Sequence, residues 1–89
     1  MTGLRLDKWL WFARLAKSRS VAQKLIEQGD VVLNHCWVTK SSQPVRPGDL
    51  VAIQRGRVDQ HVRVLALGEK RGPSREAICL YEEVKAEPV

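Results

Sequence analysis

Six cationic side chains stand within the first 26 residues: Arg5, Lys8, Arg14, Lys17, Arg19 and Lys24. Asp7 is the one acid among them, whereas residues 27–89 hold nine Lys/Arg against nine Asp/Glu. The whole formal charge of +5 therefore resides in this opening stretch. Charge scattered evenly over a chain serves solubility; charge gathered in one block is a surface for a polyanion. The chemistry such side chains offer is phosphate binding, and three of them stand close to a natural anchor. Lys17, Ser18 and Arg19 fall where a second helical pattern begins, and the free N–H groups of a helix start already favour an anion. A phosphate placed there would meet amides, a hydroxyl and a guanidinium together.

The other reactive residue types form no comparable set. His35 and His61 have no further His, Asp or Glu at metal-ligand spacing, so no zinc site is expected. Cys36 adjoins His35, but nothing in the sequence supplies an orienting third group or an oxyanion hole. Cys36 and Cys79 stand far apart in no metal spacing and read as free thiols of a reducing compartment. Asp7 reads as a residue that orients Arg5 or Lys8, or caps its helix, rather than as a catalyst. No cofactor is expected.

The elements that position these residues follow from periodicity. Leu6, Trp9, Leu10 and Ala13 recur at helical spacing, which predicts a helix over residues 6–15. Trp11 falls off that stripe among Asp7, Lys8 and Arg14, and Phe12 on the other flank near Lys8. One of the two rings can complete the core from the side. An indole beside cations suits base stacking or a cation–π contact, or else packs under the sheet or the C-terminal segment. Ser18 is a good N-cap for a second helix, with Ser20 and Gln23 offering a competing capping box. Val21, Ala22, Leu25 and Ile26 form its apolar arc, and Gly29 its stop.

Beyond Gly29 the period changes to two. Residues 31–33 and 37–39 read as a hairpin turning at residues 34–36, residues 44–49 (PVRPGD) as a turn, and residues 50–54 and 58–67 as further strands joined at residues 55–57. Val62, Val64 and Ala66 share one face of the last strand. Residues 68–73 form a polar loop with Lys70 and Arg71. Ser74 is placed to cap a last helix whose stripe would be Ala77, Ile78, Tyr81 and Val84, ahead of a frayed end at residues 86–89. The fold class expected is α+β: two N-terminal helices packed on a small, twisted, mostly antiparallel sheet, plus a short C-terminal helix. Residues 1–67 make the main domain, and residues 68–89 a basic loop, helix and tail of the same unit.

Composition narrows the function classes. With 44% apolar residues in 89, the chain can build one small core. A pI near 9.7 favours nucleic acid or an anionic membrane over an acidic small molecule. No apolar run approaches the ~18 residues of a membrane span, and no cleavable leader is evident, so a cytoplasmic protein is expected.

Several residues, taken in order, resemble the S-four type RNA-binding domain, also called the alpha-L motif. Arg5-Leu6-Asp7-Lys8 opens the first helix, Lys17-Ser18-Arg19-Ser20-Val21-Ala22 opens the second, and Ile26 and Gly29 close it. The hairpin over residues 31–38 and Pro47-Gly48-Asp49 complete the set, which extends from residue 4 to about 66. The start RLDKWLW and the tail ALGEKRGPSREAICLYEE are most similar to the small ribosome-associated heat-shock proteins of bacteria within that family. The resemblance implies a non-catalytic protein that binds ribosomal RNA on free large subunits, including those stalled with a nascent chain and tRNA, in stress response, recycling or quality control. It implies no membrane, no small-molecule substrate and a monomer.

Carried over by position, the RNA-binding residues are Arg5, Lys8, Arg14, Lys17, Ser18, Arg19, Gln23 and Lys24, with Lys40 nearby. Lys70, Arg71 and Arg75 either extend that footprint or belong to a solvated loop. One departure stands at the hairpin: relatives carry Asn-Gly at the tight turn, whereas this chain has Asn34-His35. A different turn type, or strain of about 1 kcal/mol, is expected there. Two other classes compete with the RNA-binding reading. A helix-turn-helix DNA-binding regulator would use the same two helices, but Gln23, Lys24, Glu27 and Gln28 make a modest recognition surface. An RNA-modifying enzyme would need a catalytic module for which this length leaves no room.

Overall fold

The structure, a computed structural model, describes residues 3–84. Its elements are β1 (Leu4–Arg5), α1 (Leu6–Phe12), α2 (Arg19–Glu27), β2 (Val31–Leu33), β3 (Cys36–Trp37), β4 (Pro44–Val45), β5 (Leu50–Arg55), β6 (Val58–Val64), α3 (Ser74–Ala77) and β7 (Tyr81–Glu83). The strands β3-β2-β5-β6-β7, in that order, form a five-stranded antiparallel sheet, and β1 pairs with β4 beside it. This is the expected α+β architecture, two helices laid against a small antiparallel sheet.

Alternation along the strands decides which side of the sheet meets the helices. Val31, Leu33, Val51, Ile53, Val62 and Val64 are all buried on one face, against Leu6, Trp9, Leu10, Ala22 and Ile26 of the helix pair. Trp9 also spans the two layers, its indole N–H donating to the Ala66 carbonyl at 2.9 Å. That bond lets the largest buried side chain keep its polar atom satisfied.

The first helix is shorter than the apolar spacing predicts. It stops at Phe12 because Arg14 takes a left-handed conformation, φ 59°. Arg14 N–H then donates to the Trp11 carbonyl and Leu15 N–H to that of Leu10, which is the Schellman termination. Leu15 and Ala16 are nevertheless buried in the core from outside the helix. The second helix ends the same way, with Gly29 at φ 84° in the position Arg14 occupies in the first. Arginine there costs roughly 1 kcal/mol relative to glycine.

The second helix begins as Ser18 predicts, with the hydroxyl accepting from Val21 N at 3.1 Å. The competing box at Ser20 is not used, since the Gln23 amide is engaged elsewhere. The apolar arc is also narrower than expected. Val21 is 40% exposed, and Ala22 and Ile26 carry the buried contact.

Three further expectations are corrected. Residues 44 and 45 are not part of a turn but pair with Leu4 and Arg5, and only the following residues bend, around Gly48 at φ 96°. The strand expected over residues 58–67 ends at Val64. The last helix is a single turn, Ser74–Ala77, with Pro73 rather than Ser74 at its N-cap. Tyr81 lies opposite Val64 in the sheet instead of continuing a helical stripe. The Leu80 carbonyl accepts from both Leu65 and Ala66 N–H groups, which draws the chain into extended pairing where periodicity alone suggested a helix. The expectation for residues 86–89 lies outside the described residues.

The Asn34-His35 turn has both residues at positive φ, 50° and 69°. Both central residues being left-handed is the type I′ pattern, which matches the twist of a two-residue hairpin. Asn34 holds the turn in place: its Oδ1 accepts from Leu50 N at 2.9 Å and its Nδ2 donates to Asp49 at 3.1 Å.

Candidate nucleic-acid interface

The cations of the opening stretch are arranged around a fully buried acid. Asp7 has no exposed surface, yet its carboxylate accepts from Arg5 Nε at 3.1 Å, Arg5 Nη2 at 3.2 Å, Gln23 Nε2 at 2.9 Å, Arg19 Nε at 3.4 Å and Lys8 N at 2.8 Å. Arg5 precedes α1, while Arg19 and Gln23 come from the first turns of α2, so one carboxylate clamps the two helices and aims two guanidiniums from different segments to one place. Both arginine side chains remain partly exposed. Burial alone pushes the Asp7 carboxyl up. The Gln23 and Arg5 hydrogen bonds and the Arg19 and Arg5 charges outweigh it and hold the group below its ordinary value.

Lys40 is exposed in the chain segment docked on the start of α1, where Asp7 N–H donates to the Ser41 carbonyl and Leu6 N–H to that of Gln43. Lys17 and Lys24 are exposed on either side of the first turn of α2. Ser18 sits between Lys17 and Arg19, but its hydroxyl oxygen is committed to Val21 N–H. The expected meeting of amides, hydroxyl and guanidinium at one phosphate is thus altered: Val21 N–H is already satisfied and Arg19 Nε faces Asp7. What the helix start presents is the outer fork of Arg19 with Lys17 beside it.

Two residues stand apart. Lys8 directs its ammonium over the Phe12 ring, 5.6 Å from the centroid. Arg14 lies a helix length away, roughly 10 Å along α1 from Asp7, and donates to the Gly72 carbonyl at 2.7 Å. The sequence leaves the loop after β6 open between an extended footprint and a solvated loop. The structure places Arg71 over the Trp11 indole, 5.6 Å from its centroid, with Nε donating to the Trp11 carbonyl. The face of Trp11 covered by Arg71 therefore holds a cation of the chain itself, and Phe12 is the ring that completes the core. The signal available in the sequence was the juxtaposition of an off-stripe indole with unassigned arginines; their pairing across 60 positions was not legible.

Among the described residues, no group of three His, Cys, Asp or Glu side chains is placed to hold a metal ion, and no helix is long and apolar enough to cross a membrane. His35 and Cys36 lie in and beside the hairpin turn, and both are exposed.

In this chain two short helices carry cations at a shared acidic pivot and are set on a small antiparallel sheet. The S4 family model matches residues 4–51, and the chain belongs to that family. Within it, the chain is 37% identical to the heat shock protein 15 homolog of Haemophilus influenzae, over 93% of this chain and 63% of that protein. It is 41% identical to heat shock protein 15 of Escherichia coli strain K12, over 90% of this chain and 59% of that one. The chain thus spans about three fifths of the length of these relatives. It is also 36% identical to the RQC P-site tRNA stabilizing factor of Halalkalibacterium halodurans, over 97% and 96% of the two chains. The trimeric structure of Vibrio cholerae heat shock protein 15 superposes with a TM-score of 0.85 at 34% identity, covering 92% of this chain and 82% of that one.

Proposed function

We propose that this protein is a non-catalytic binder of structured ribosomal RNA, acting on free large ribosomal subunits that retain a nascent chain and tRNA. The observation that carries the reading is the Asp7 pivot. It fixes Arg5 and Arg19, from separate elements, each with guanidinium nitrogens left over to meet backbone phosphates, and Lys17, Lys24 and Lys40 add exposed positive charge. A-form RNA offers shape, phosphates and 2′-hydroxyls more readily than base edges, so a surface of oriented cations suits it better than a base-reading helix does. The names of the relatives point the same way, toward heat shock and toward a P-site tRNA in ribosome quality control. A role in stress response or in recycling stalled subunits follows from that reading.

The deciding experiment is sedimentation of tagged protein through a sucrose gradient, with its migration compared with that of free large subunits. Co-migration supports the assignment, whereas recovery only with small subunits or at the top of the gradient removes it. A companion measurement with purified ribosomal RNA fragments reads the mechanism. About four to six neutralised phosphates give a log–log salt slope near −3 to −5. Preferential binding to duplex DNA at equal salt would return the protein to the helix-turn-helix class.

A further inference from the structure

At the end of α1 remote from Asp7, two arginines are each fastened to the other's segment. Arg14 Nε donates to the Gly72 carbonyl at 2.7 Å, and Arg71 Nε donates to the Trp11 carbonyl at 3.0 Å. The same Trp11 carbonyl also accepts Arg14 N–H at 3.1 Å, so the two residues meet at a single oxygen. The Trp11 ring lies under the Arg71 guanidinium, 5.6 Å from its carbon. Both side chains are thus held through Nε. Among the described residues, no carboxylate stands within ion-pairing distance of either. The Glu76 carboxylate packs over Gly72 without pairing with them.

We propose that Arg14 and Arg71 form a second anion site, a pair of preset guanidinium forks for an RNA backbone phosphate. The site rests on the RNA-binding reading above and enlarges its footprint to residues 68–73. The chemistry favours a phosphate over a purely structural latch. A latch through one N–H to a carbonyl needs no charge, yet here two full charges are each fastened only through Nε, with no carboxylate partner among the described residues. Arg5 and Arg19, by contrast, both pair with Asp7. A guanidinium already tethered through Nε loses less freedom when it closes on two phosphate oxygens. The backbone adds an independent sign, because the chain tolerates arginine at a left-handed helix terminus where its own second helix uses glycine. Strain of this kind persists where the side chain has a task.

The test uses the full chain and a hairpin RNA, with and without a single-stranded oligouridine tail, titrated by fluorescence anisotropy across a salt series. Arg14→Gln and Arg71→Gln keep a donor for the carbonyls and remove the charge. Each is expected to bind about tenfold more weakly and to lower the salt slope by about one, with an unchanged circular dichroism spectrum. A loss seen with the bare hairpin assigns the phosphate to the duplex, and a loss seen only with the tail assigns it to an unpaired strand. Arg14→Gly guards against misfolding as the explanation, since relief of the left-handed strain should raise the melting temperature while affinity still falls. Wild-type affinity and slope in both Gln variants, on both RNAs, would overturn the proposal and leave the Asp7-centred reading intact. A wild-type protein whose binding ignores salt would instead defeat that reading, and this site with it.

Discussion

The side-chain amide of Gln23 donates to the buried Asp7 carboxylate at 2.9 Å, a contact that joins the second helix to the first across 16 positions of sequence. Because the same oxygen also receives Arg19 Nε, the bond does more than hold two helices together. It fixes the distance at which a guanidinium of α2 stands from one at the start of α1. On the proposed function, packing and RNA binding share one atom, and substitutions at this point separate the two effects only when stability and binding are read side by side.

Acid should loosen this pivot. With its carboxyl held below the ordinary 3.8, Asp7 is deprotonated in the folded protein at pH values where the unfolded chain has begun to take up the proton. The stabilisation is complete above about pH 4 and is lost as pH falls through the lower folded value. Urea denaturation at successive pH values should show a falling midpoint on this acid limb. Asp7→Asn should lose about 1–3 kcal/mol at neutral pH and flatten the limb. An acid limb of equal steepness in both proteins would exclude Asp7 as its source.

Arg19→Ala should weaken RNA binding more than it weakens the fold. Gln23, Arg5 and the Lys8 amide continue to serve the carboxylate, and a pair with one partly exposed member is worth under about 1 kcal/mol. A double-mutant cycle with Asp7→Asn gives the coupling: the stability cost of removing Arg19 should shrink when the acid is already neutral. Additive costs would show that the two side chains do not act as a pair.

Lys17, Lys24 and Lys40 provide the clean electrostatic probe. All three are exposed, and none of their ammonium groups makes a hydrogen bond or ion pair among the described residues. Changing each to Ala should leave the melting point within about 0.5 kcal/mol of wild type while reducing the salt slope of RNA binding by about one per lysine. An unchanged slope in the triple variant would remove these residues from the interface.

His35→Gly should stabilise the protein. At φ 69° the imidazole-bearing residue occupies a conformation glycine adopts freely, and relief of roughly 1 kcal/mol raises the melting temperature of a domain this size by about 4–8 °C. Asn34 should stay, since its amide ties the turn to Asp49 and Leu50. A lower melting temperature in the glycine variant would mean that the His35 side chain contributes more than its backbone costs.

How much of this was legible beforehand depends on the range of the interaction involved. The helix stripe Leu6, Trp9, Leu10 and Ala13, the Ser18 cap, the Gly29 stop and the alternation of the strands are all local matters of period and capping, and each reads directly from neighbouring residue types. The same holds for the concentration of positive charge before residue 27, since charge is counted without knowing a fold. Distant partners decided the rest. Arg14 ends the first helix early, a left-handed exception for a non-glycine residue that no propensity anticipates. Tyr81 becomes a strand residue because Val64 offers it a place in a ladder. Asp7 becomes a pivot, rather than a simple cap, because folding removes it from water and brings Gln23 and Arg19 to it. The sequence alone determined where the two N-terminal helices start, the alternation of the strands and the sign of the surface. Only the tertiary structure decided which cations share a carboxylate and which stand unopposed, because burial and proximity set the worth of a charge, and neither exists until the chain has folded.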